Sequence, residues 1–332
     1  MAPFGTLLIL LFGLLSFASP QMDLPEQAAA ITINAKPIAA FRTDNPSQVR
    51  FGSLEFRGGL VLTSGHKSFG GISGLRIAPD GEHFVALSDR ATWFRGRIVY
   101  DGKRPSGIAD ASADPVLDGE GKPAPRWDTE SIAEDDHRLF VGLERTNNIF
   151  SFDFDWKSFP VGAKPVSAPP ELKDLPFNQG LEAMVFIPKK HKIAETLIGF
   201  SEHGLTEEGN LKAFLIGGPA PGLFAVKRTD GFDISDASLL PDGDILILER
   251  QYSPERGAAM RIRRIRLGDI KPGALVHGSM VIEADVRCEI DNMEALSVHR
   301  DREGETVLTL ISDKNESPNQ RTLLLQFVLR RH

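Results

Sequence analysis

The sequence predicts an all-β protein that folds as a β-propeller, and three observations carry this prediction. Five similar segments recur along the 332 residues, and their spacing of about 55 residues is typical of a repeat fold. Two of the repeats place an Asp-Gly pair between apolar runs, at Asp80 and at Asp242, which is a strong short-range signal for a β-hairpin. The 31 glycines and 22 prolines also favour many short strands over long helices.

Each repeat opens with a short motif that begins its first strand. The five motifs cover residues 71–75, 128–132, 180–184, 234–238 and 292–296. A turn and a second strand follow, and third strands are expected at residues 97–100, 148–154, 260–266 and 323–329. An antiparallel meander of four such strands is one blade of a propeller, so the sequence predicts five four-stranded blades.

The fifth repeat lacks an outer strand, because the chain ends after its third strand. We expect strands near residues 51–56 and 59–63 to take that place, so that the N-terminal part of the chain closes the ring. Residues 31–64 have room for further strands, and the sequence therefore leaves a sixth, degenerate blade open.

The first 30 residues are interpreted as a secretory signal. Residues 7–17 are apolar, and this run is too short to span a bilayer comfortably. No Lys or Arg precedes it, and the cleavage point is expected between about residue 18 and residue 30. We therefore expect residues 31–332 to form a single domain that is periplasmic or secreted, with no membrane attachment after cleavage.

Charge and cysteine content exclude several classes of protein. The 45 acidic and 38 basic residues give a net charge of −7, which argues against a nucleic-acid partner, because nucleic-acid binders normally present a basic surface. A single cysteine, Cys288, permits no internal disulfide and no cysteine-based zinc site. An acidic balance of this kind suits a protein that binds cations.

Acidic residues recur at two positions of the repeat. The first position, near the start of the innermost strand, holds Ser73, Glu130, Glu182, Asp236 and Glu294. The second, at the end of the next strand, holds Asp89, Glu144, Glu202, Glu249 and Asp313. A base follows each of these five acids, namely Arg90, Arg145, His203, Arg250 and Lys314. Antiparallel neighbours lie about 4.8 Å apart, so both positions are expected at the same mouth of the channel.

The nine predicted carboxylates have two interpretations. So many carboxylates cannot all be ionised close together unless cations offset them, and calcium or another hard divalent cation takes several carboxylate oxygens as ligands. The arginines would then bind a phosphate or carboxylate group in a forked geometry. Alternatively, the acids and bases form ion pairs that tie neighbouring blades together.

The motifs resemble the phytase-like family, which is described as the esterase-like activity of phytase. The resemblance lies in Gly-Ile-Ser-Gly-Leu, Asp-Thr-Glu-Ser-Ile, Gly-Leu-Glu-Ala-Met, Asp-Gly-Asp-Ile-Leu-Ile-Leu-Glu-Arg and Asn-Met-Glu-Ala-Leu. It covers about residues 50–330 and implies a β-propeller in which recurrent acids carry phosphoester chemistry. Those acids fall on Glu130, Glu182, Asp236 and Glu294, and in the second motif on Asp89, Glu144, Glu249 and Asp313. The first repeat departs from the pattern, because Ser73 stands in place of an acid.

The function predicted from these observations is hydrolysis of phosphate esters, assisted by a divalent cation, at an acidic rim of the channel. The catalytic candidates are Glu130, Glu182, Asp236, Glu294 and His203. The candidates for binding a small anionic substrate, expected to be a phosphate ester, are Arg90, Arg145, Arg250 and Lys314. All nine acids are candidate metal ligands. The alternatives are a non-catalytic propeller that binds a metal or ligand, and a scaffold whose acids only join the blades.

Overall fold

The computed structural model describes residues 28–124, 127–315, 317 and 319–330, and these residues form a five-bladed β-propeller. The innermost strands of neighbouring sheets contact one another around a ring, which leaves a channel at the centre. Within these residues there is no α-helix, and the helical content is two short 3-10 turns at Pro170–Asp174 and Leu267–Asp269. The all-β propeller predicted from the repeats is confirmed.

Strands are numbered in chain order, and each of the first three blades contains four strands in sequence. Blade 1 contains β5 (Ile72–Ile77), β6 (His83–Ser88), β7 (Thr92–Asp101) and β8 (Arg104–Pro115), with β1 (Ala29–Ala30) on its outer edge. Blade 2 contains β9 (Thr129–Glu134), β10 (Arg138–Leu143), β11 (Asn148–Asp153) and β12 (Val161–Val166). Blade 3 contains β13 (Leu181–Ile187), β14 (Thr196–Leu205), β15 (Leu211–Gly217) and β16 (Gly222–Val226).

The last two blades draw on distant parts of the chain. Blade 4 contains β17 (Asp233–Leu239), β18 (Ile245–Ser253), β19 (Gly257–Ile265) and β21 (Ser279–Asp285). Strand β20 (Leu275–Val276) belongs to the fourth repeat in the sequence, but it pairs in parallel with β16 at the outer edge of blade 3. Blade 5 contains β22 (Asn292–Arg300), β23 (Thr306–Asp313), β24 (Thr322–Leu329), β4 (Leu54–Thr63) and β2 (Asn34–Ile38), and β3 (Arg50–Phe51) pairs with β4.

Blade 5 closes the ring as the sequence predicts. Strand β4 pairs antiparallel with the C-terminal strand β24, with Leu60 opposite Leu324. Residues 31–64 thus complete the fifth blade and do not form a sixth, so the propeller has five blades. The predicted signal segment lies outside the described residues except for residues 28–30, so export and its cleavage point stay predictions. None of the helical turns in the described part of the chain could cross a membrane.

Apolar side chains packed between neighbouring sheets form the core. One cluster between blades 4 and 5 includes Leu248, Ile262, Leu308 and Phe327, all fully buried. Strand alternation produces this packing, because every second residue of a twisted strand faces the next blade. The core therefore fixes the relative positions of the five innermost strands, and through them the positions of the side chains at the two mouths of the channel.

A β-bulge near the start of every innermost strand decides which side chains leave the ladder. The pairing with the second strand skips one residue in each blade. A bulged residue is left out of the ladder and its side chain is aimed differently from those of its neighbours. The skipped residues are Ser73, Glu130, Glu182, Ser235 and Glu294.

Arg76 joins all five blades inside the channel. Its guanidinium donates hydrogen bonds to the carbonyl oxygens of Leu75 at 2.6 Å, Met184 at 3.3 Å and Leu296 at 3.3 Å. It also donates to the carbonyls of Ile132 and Ala237, so that one acceptor comes from each innermost strand. The guanidinium is buried and is held by Asp236, with Nη1 3.1 Å from Oδ2.

Candidate functional site: an acidic channel mouth

Five carboxylates from blades 2 and 3 meet at the mouth where the innermost strands begin. Asp128, Glu130 and Glu144 present oxygen atoms that all lie within 4.8 Å of one another. Glu144, Glu182 and Glu202 form a second such group, also within 4.8 Å. The two triads share Glu144, which is buried, so the mouth holds one continuous cluster of carboxylate oxygens. The expectation that both acidic positions of a repeat meet at one mouth is met in blades 2 and 3.

Burial and mutual repulsion make these carboxyl groups hard to ionise. Burial raises the pKa of Glu182 well above its usual range, and Glu202 raises it further, while Arg250 opposes both. The pKa of Glu130 is also raised well above its usual range, first by burial and then by Glu182 and Asp128. Glu144 lies in the same triad as Glu182, and burial raises its pKa as well. A bound cation would relieve this repulsion.

Arg250 from blade 4 is the main counter-charge of the cluster. Its guanidinium donates to Glu202 of blade 3 at 2.8 Å, and it pairs with Glu294 of blade 5. Burial lowers the pKa of Arg250, but the charges of Glu294, Glu202 and Glu182 outweigh burial and raise it. Glu294 in turn has a pKa raised to about 7, because burial outweighs the effect of Arg250. Arg250 therefore connects three blades at the mouth.

The structure corrects the alignment of the fourth repeat by one residue. In that blade the bulge skips Ser235, so Ser235, and not Asp236, is equivalent to Glu130 and Glu182. In the strand register, Arg250 of the second strand lies opposite Asp233 of the innermost strand, just as Asp313 lies opposite Asn292 in blade 5. Arg250, and not Glu249, is thus equivalent to the second-position acids of the other blades. Blade 4 supplies a serine and an arginine where blade 3 supplies two glutamates.

Asp236 and Glu249 consequently lie apart from the acidic cluster. Asp236 holds Arg76 and accepts hydrogen bonds from the backbone N–H groups of Ala237 at 2.7 Å and Leu296 at 2.8 Å. The fully buried Glu249 accepts forked hydrogen bonds from Arg261 and Arg263. These arrangements use the carboxylate oxygens for structural contacts, and neither acid belongs to the two triads.

The remaining second-position acids lie on the blade 1 side. Asp313 accepts hydrogen bonds from the N–H of Ile72 at 3.1 Å and the N–H of Asn315 at 2.6 Å, which ties blade 5 to blade 1. Asp89 lies 3.5 Å from Arg90. Gly71 has a φ of 63°, and a side chain there would collide with the Asp89 carboxylate. Neither acid belongs to the two triads.

The predicted bases occupy different parts of the mouth. Arg145 pairs with Asp128 at 2.5 Å, and the ring nitrogen Nδ1 of His203 lies 3.2 Å from Asp233. Arg90 and Lys314 approach each other across Gly70, because a Cβ there would lie 3.3 Å from Arg90 Nη2 and 3.4 Å from Lys314 Cε. The mouth therefore has an acidic side on blades 2 and 3 and a basic pair between blades 5 and 1.

Sequence reasoning missed Asp128, Arg76 and Asn292. Asp128 precedes Glu130 by two residues inside a repeated motif, and this second acid in one motif was the available signal. Arg76 lies within the first innermost strand, where an arginine among apolar residues is unusual. Asn292 is hydrogen-bonded to both Arg250 and Glu294.

The fold and the mouth together define a propeller with a carboxylate-rich site suited to a hard cation, since clustered carboxylate oxygens are the ligands that calcium prefers. A family model described as "Phytase-like: Esterase-like activity of phytase" matches residues 67–316. The chain belongs to this phytase-like family.

Other comparisons are more distant. The search of curated proteins found no match. Among solved structures, the chain is similar to the glutaminyl cyclase of Myxococcus xanthus, with 9% identity and a TM-score of 0.41 over 90% of this chain and 95% of that chain. It is also similar to the PQQ-bound aldose sugar dehydrogenase of Streptomyces coelicolor, with 11% identity and a TM-score of 0.44 over 92% and 99%.

Proposed function

We propose that this protein hydrolyses phosphate esters at the acidic mouth, with the assistance of calcium or another hard divalent cation. The observation that carries the proposal is the pair of carboxylate triads that share Glu144. Within each triad the three oxygen atoms lie within 4.8 Å of one another. The esterase-like activity in the description of the family supports the same reaction class. We further propose that the protein acts after export, in keeping with the apolar segment at residues 7–17.

The residues of the two triads fit the proposed cation. Asp128, Glu130 and Glu144 offer one set of hard oxygen ligands, and Glu182 and Glu202 extend it. Burial and mutual repulsion raise the pKa values of Glu130 and Glu182, and a divalent ion would offset that repulsion. When bound, such a cation supplies Lewis-acid polarisation of a phosphoryl oxygen.

The protein's own residues then bind and orient the substrate. Arg90 and Lys314 come from blades 1 and 5 and approach each other at Gly70, and in our proposal they bind the phosphate oxygens. Arg250 holds Glu202 and Glu294 in place through hydrogen bonds from one guanidinium. In our proposal a carboxylate of the cluster that does not bind the cation accepts a proton from the attacking water.

His203 has a secondary place in this proposal. Its ring is half-buried and is oriented by Asp233, which also pairs with Arg228 at 2.8 Å. We propose that His203 donates a proton to the leaving group, a role that His203→Gln would remove while keeping a hydrogen-bonding side chain.

The substitution Glu144→Gln tests the proposal most directly. It keeps the side-chain shape and removes the one charge that belongs to both triads. We expect calcium affinity, measured by isothermal titration calorimetry, to fall by about tenfold or more, and hydrolysis of phosphomonoesters and phosphodiesters to be lost. The matched control is Glu134→Gln, which changes another glutamate of an innermost strand, at the opposite end of the channel.

The outcomes separate the three interpretations. If Glu144→Gln binds calcium and turns over phosphate esters like the unaltered protein, the site is not where we place it. Calcium binding without any turnover by the unaltered protein would favour the non-catalytic binding propeller. If the unaltered protein neither binds calcium nor hydrolyses esters, the acids serve only to join the blades.

A further inference from the structure

A large cavity lies at the mouth opposite the carboxylate triads. Its volume is about 890 Å³, which is within the usual size of a small-molecule pocket. Its wall includes residues from the far ends of the innermost strands, among them Ile77, Glu134, Leu239 and His299. Arg76 also lines the cavity, and its guanidinium bonds to all five innermost strands. Arg76 therefore closes the channel between the two mouths, and the cavity is separate from the acidic cluster.

Glu134 is an acid without a partner in this cavity. It is the last residue of β9 and is partly buried. Among the described residues its carboxyl group accepts no hydrogen bond and forms no ion pair. Burial raises the pKa of Glu134 to about 7, although the charge of Arg76 opposes this shift. Arg76 does not pair with Glu134, because its guanidinium is held by Asp236 at 3.1 Å. An unpartnered acid with a perturbed pKa in a cleft is a candidate for binding a ligand.

The other charged groups of the wall do not neutralise Glu134. Arg138 pairs with Asp135 at 2.5 Å. Asp135 and Asp136 follow Glu134 in the chain and raise its pKa further. The remaining bases of the wall lie at its exposed rim, namely Lys189, Lys190 and Arg300. Blade 2 thus contributes three acids against Arg138, and this side of the cavity attracts a positive charge.

Much of the remaining wall is apolar. Its apolar residues include Ile77, Met184, Val185, Leu240 and Val298. Trp156 is half-buried and lines the same cavity. The N–H of Phe154 donates to the carbonyl of His137 at 2.9 Å, which holds the chain that leads to Trp156 beside the turn that follows Glu134. An aromatic ring in an acidic cavity suits an organic cation, because the face of the ring attracts positive charge.

We propose that this cavity binds a small organic ammonium compound, with the ammonium group on Glu134 and the apolar part against Trp156 and the apolar wall. The ammonium group gives Glu134 the charged hydrogen-bond partner that the protein does not supply. The apolar part gains free energy by leaving water. This inference goes beyond the proposed function and does not rest on it, because Arg76 separates the cavity from the carboxylate triads.

The test compares 2-phenylethylamine with 2-phenylethanol, which has the same apolar part but no positive charge at neutral pH. Calorimetry should show that the unaltered protein binds the amine about tenfold or more tightly than the alcohol, because the amine forms a charged hydrogen bond. Calcium is included, since the carboxylates of the acidic mouth also attract an amine. Glu134→Gln should remove the preference for the amine and leave the affinity for the alcohol unchanged. The control is Glu171→Gln, which changes an exposed glutamate in the 3-10 turn between blades 2 and 3 and should keep the preference.

Three outcomes would overturn the inference: no binding of either compound, equal affinity for both, or a preference for the amine that Glu134→Gln leaves unchanged. In the last case the amine binds elsewhere. None of these outcomes affects the proposed function, which depends on calcium binding and ester hydrolysis at the other mouth. Conversely, a protein that binds no calcium but loses its preference for the amine in Glu134→Gln would support this inference alone. Glu134→Gln removes a charge that burial disfavours, so the variant should fold, and thermal melting checks this.

Discussion

Replacing Arg76 by methionine is expected to destabilise the whole propeller, because one guanidinium bonds to all five innermost strands. Methionine keeps much of the volume and the unbranched shape of the side chain but donates no hydrogen bond. The carbonyl oxygens of Leu75, Ile132, Met184, Ala237 and Leu296 would then converge on an apolar side chain.

The largest part of the loss comes from Asp236. This carboxylate is fully buried, and burial already raises its pKa although Arg76 lowers it. Removing one partner of a buried ion pair typically costs about 3–5 kcal/mol. Protonation of Asp236 would limit the loss, so the effect should be smaller at acidic pH. In the Arg76→Met background, Asp236→Asn should recover part of the stability, because the amide oxygen can still accept from Leu296.

Urea unfolding at neutral pH, followed by tryptophan fluorescence, measures these differences. The control is Arg264→Met, which removes an arginine that also pairs with two acids, Asp242 and Asp244, but lies partly exposed. Exposed pairs contribute at most about 1 kcal/mol, so this control should change little. If Arg76→Met lowers the free energy of unfolding by less than about 1 kcal/mol, the idea that the guanidinium joins the blades is refuted.

Two further predictions concern the acidic mouth. Glu182→Gln relieves repulsion with Glu202 and Glu144, so without calcium its melting temperature should equal or exceed that of the unaltered protein, and calcium should raise it less; a lower melting temperature with an undiminished calcium response would contradict this. The pKa of Glu294, about 7 in the fold, exceeds its unfolded value of about 4.3. The folded state then binds more protons, so the stability of the calcium-free protein relative to Glu294→Gln should fall as pH rises from about 5 to 7 and level off above. His299, with a pKa of about 4, acts in the opposite direction but equally in both proteins; a flat difference in urea midpoints across this range would count against the prediction.

Local signals in the sequence were sufficient to predict the architecture. The Asp80-Gly81 and Asp242-Gly243 turns form the expected hairpins, and Gly81 and Gly243 have φ values of 75° and 99°, which glycine adopts without strain. Ring closure was predictable because the last repeat lacks an outer strand. The number of blades could not be fixed in the same way, since residues 31–64 could have formed a separate sheet until their pairing with β24 was known.

The acidic site was only partly predictable, because its geometry depends on the bulges. Glu130, Glu144, Glu182 and Glu202 were all named from the repeats, and the structure brings them together. In the fourth repeat, matching acids by residue type selected Asp236 and Glu249, each one residue away from the equivalent position. A shift of one residue in a strand turns a side chain to the opposite face, so these two acids contact Arg76, Arg261 and Arg263 instead.

The departure of blade 4 from the repeat gives the mouth its charge balance. The second position holds acidic residues in the other four blades, namely Asp89, Glu144, Glu202 and Asp313, and an acid in place of Arg250 would have added another beside Glu202 and Glu294. Arginine at this position instead places a positive charge between the acids of blades 3 and 5. A fully symmetric ring of acids would repel a phosphate from every side. The broken symmetry leaves the carboxylates of blades 2 and 3 as the strongest candidates for a cation site, and it gives the mouth the two-sided charge on which the proposed hydrolysis of phosphate esters depends.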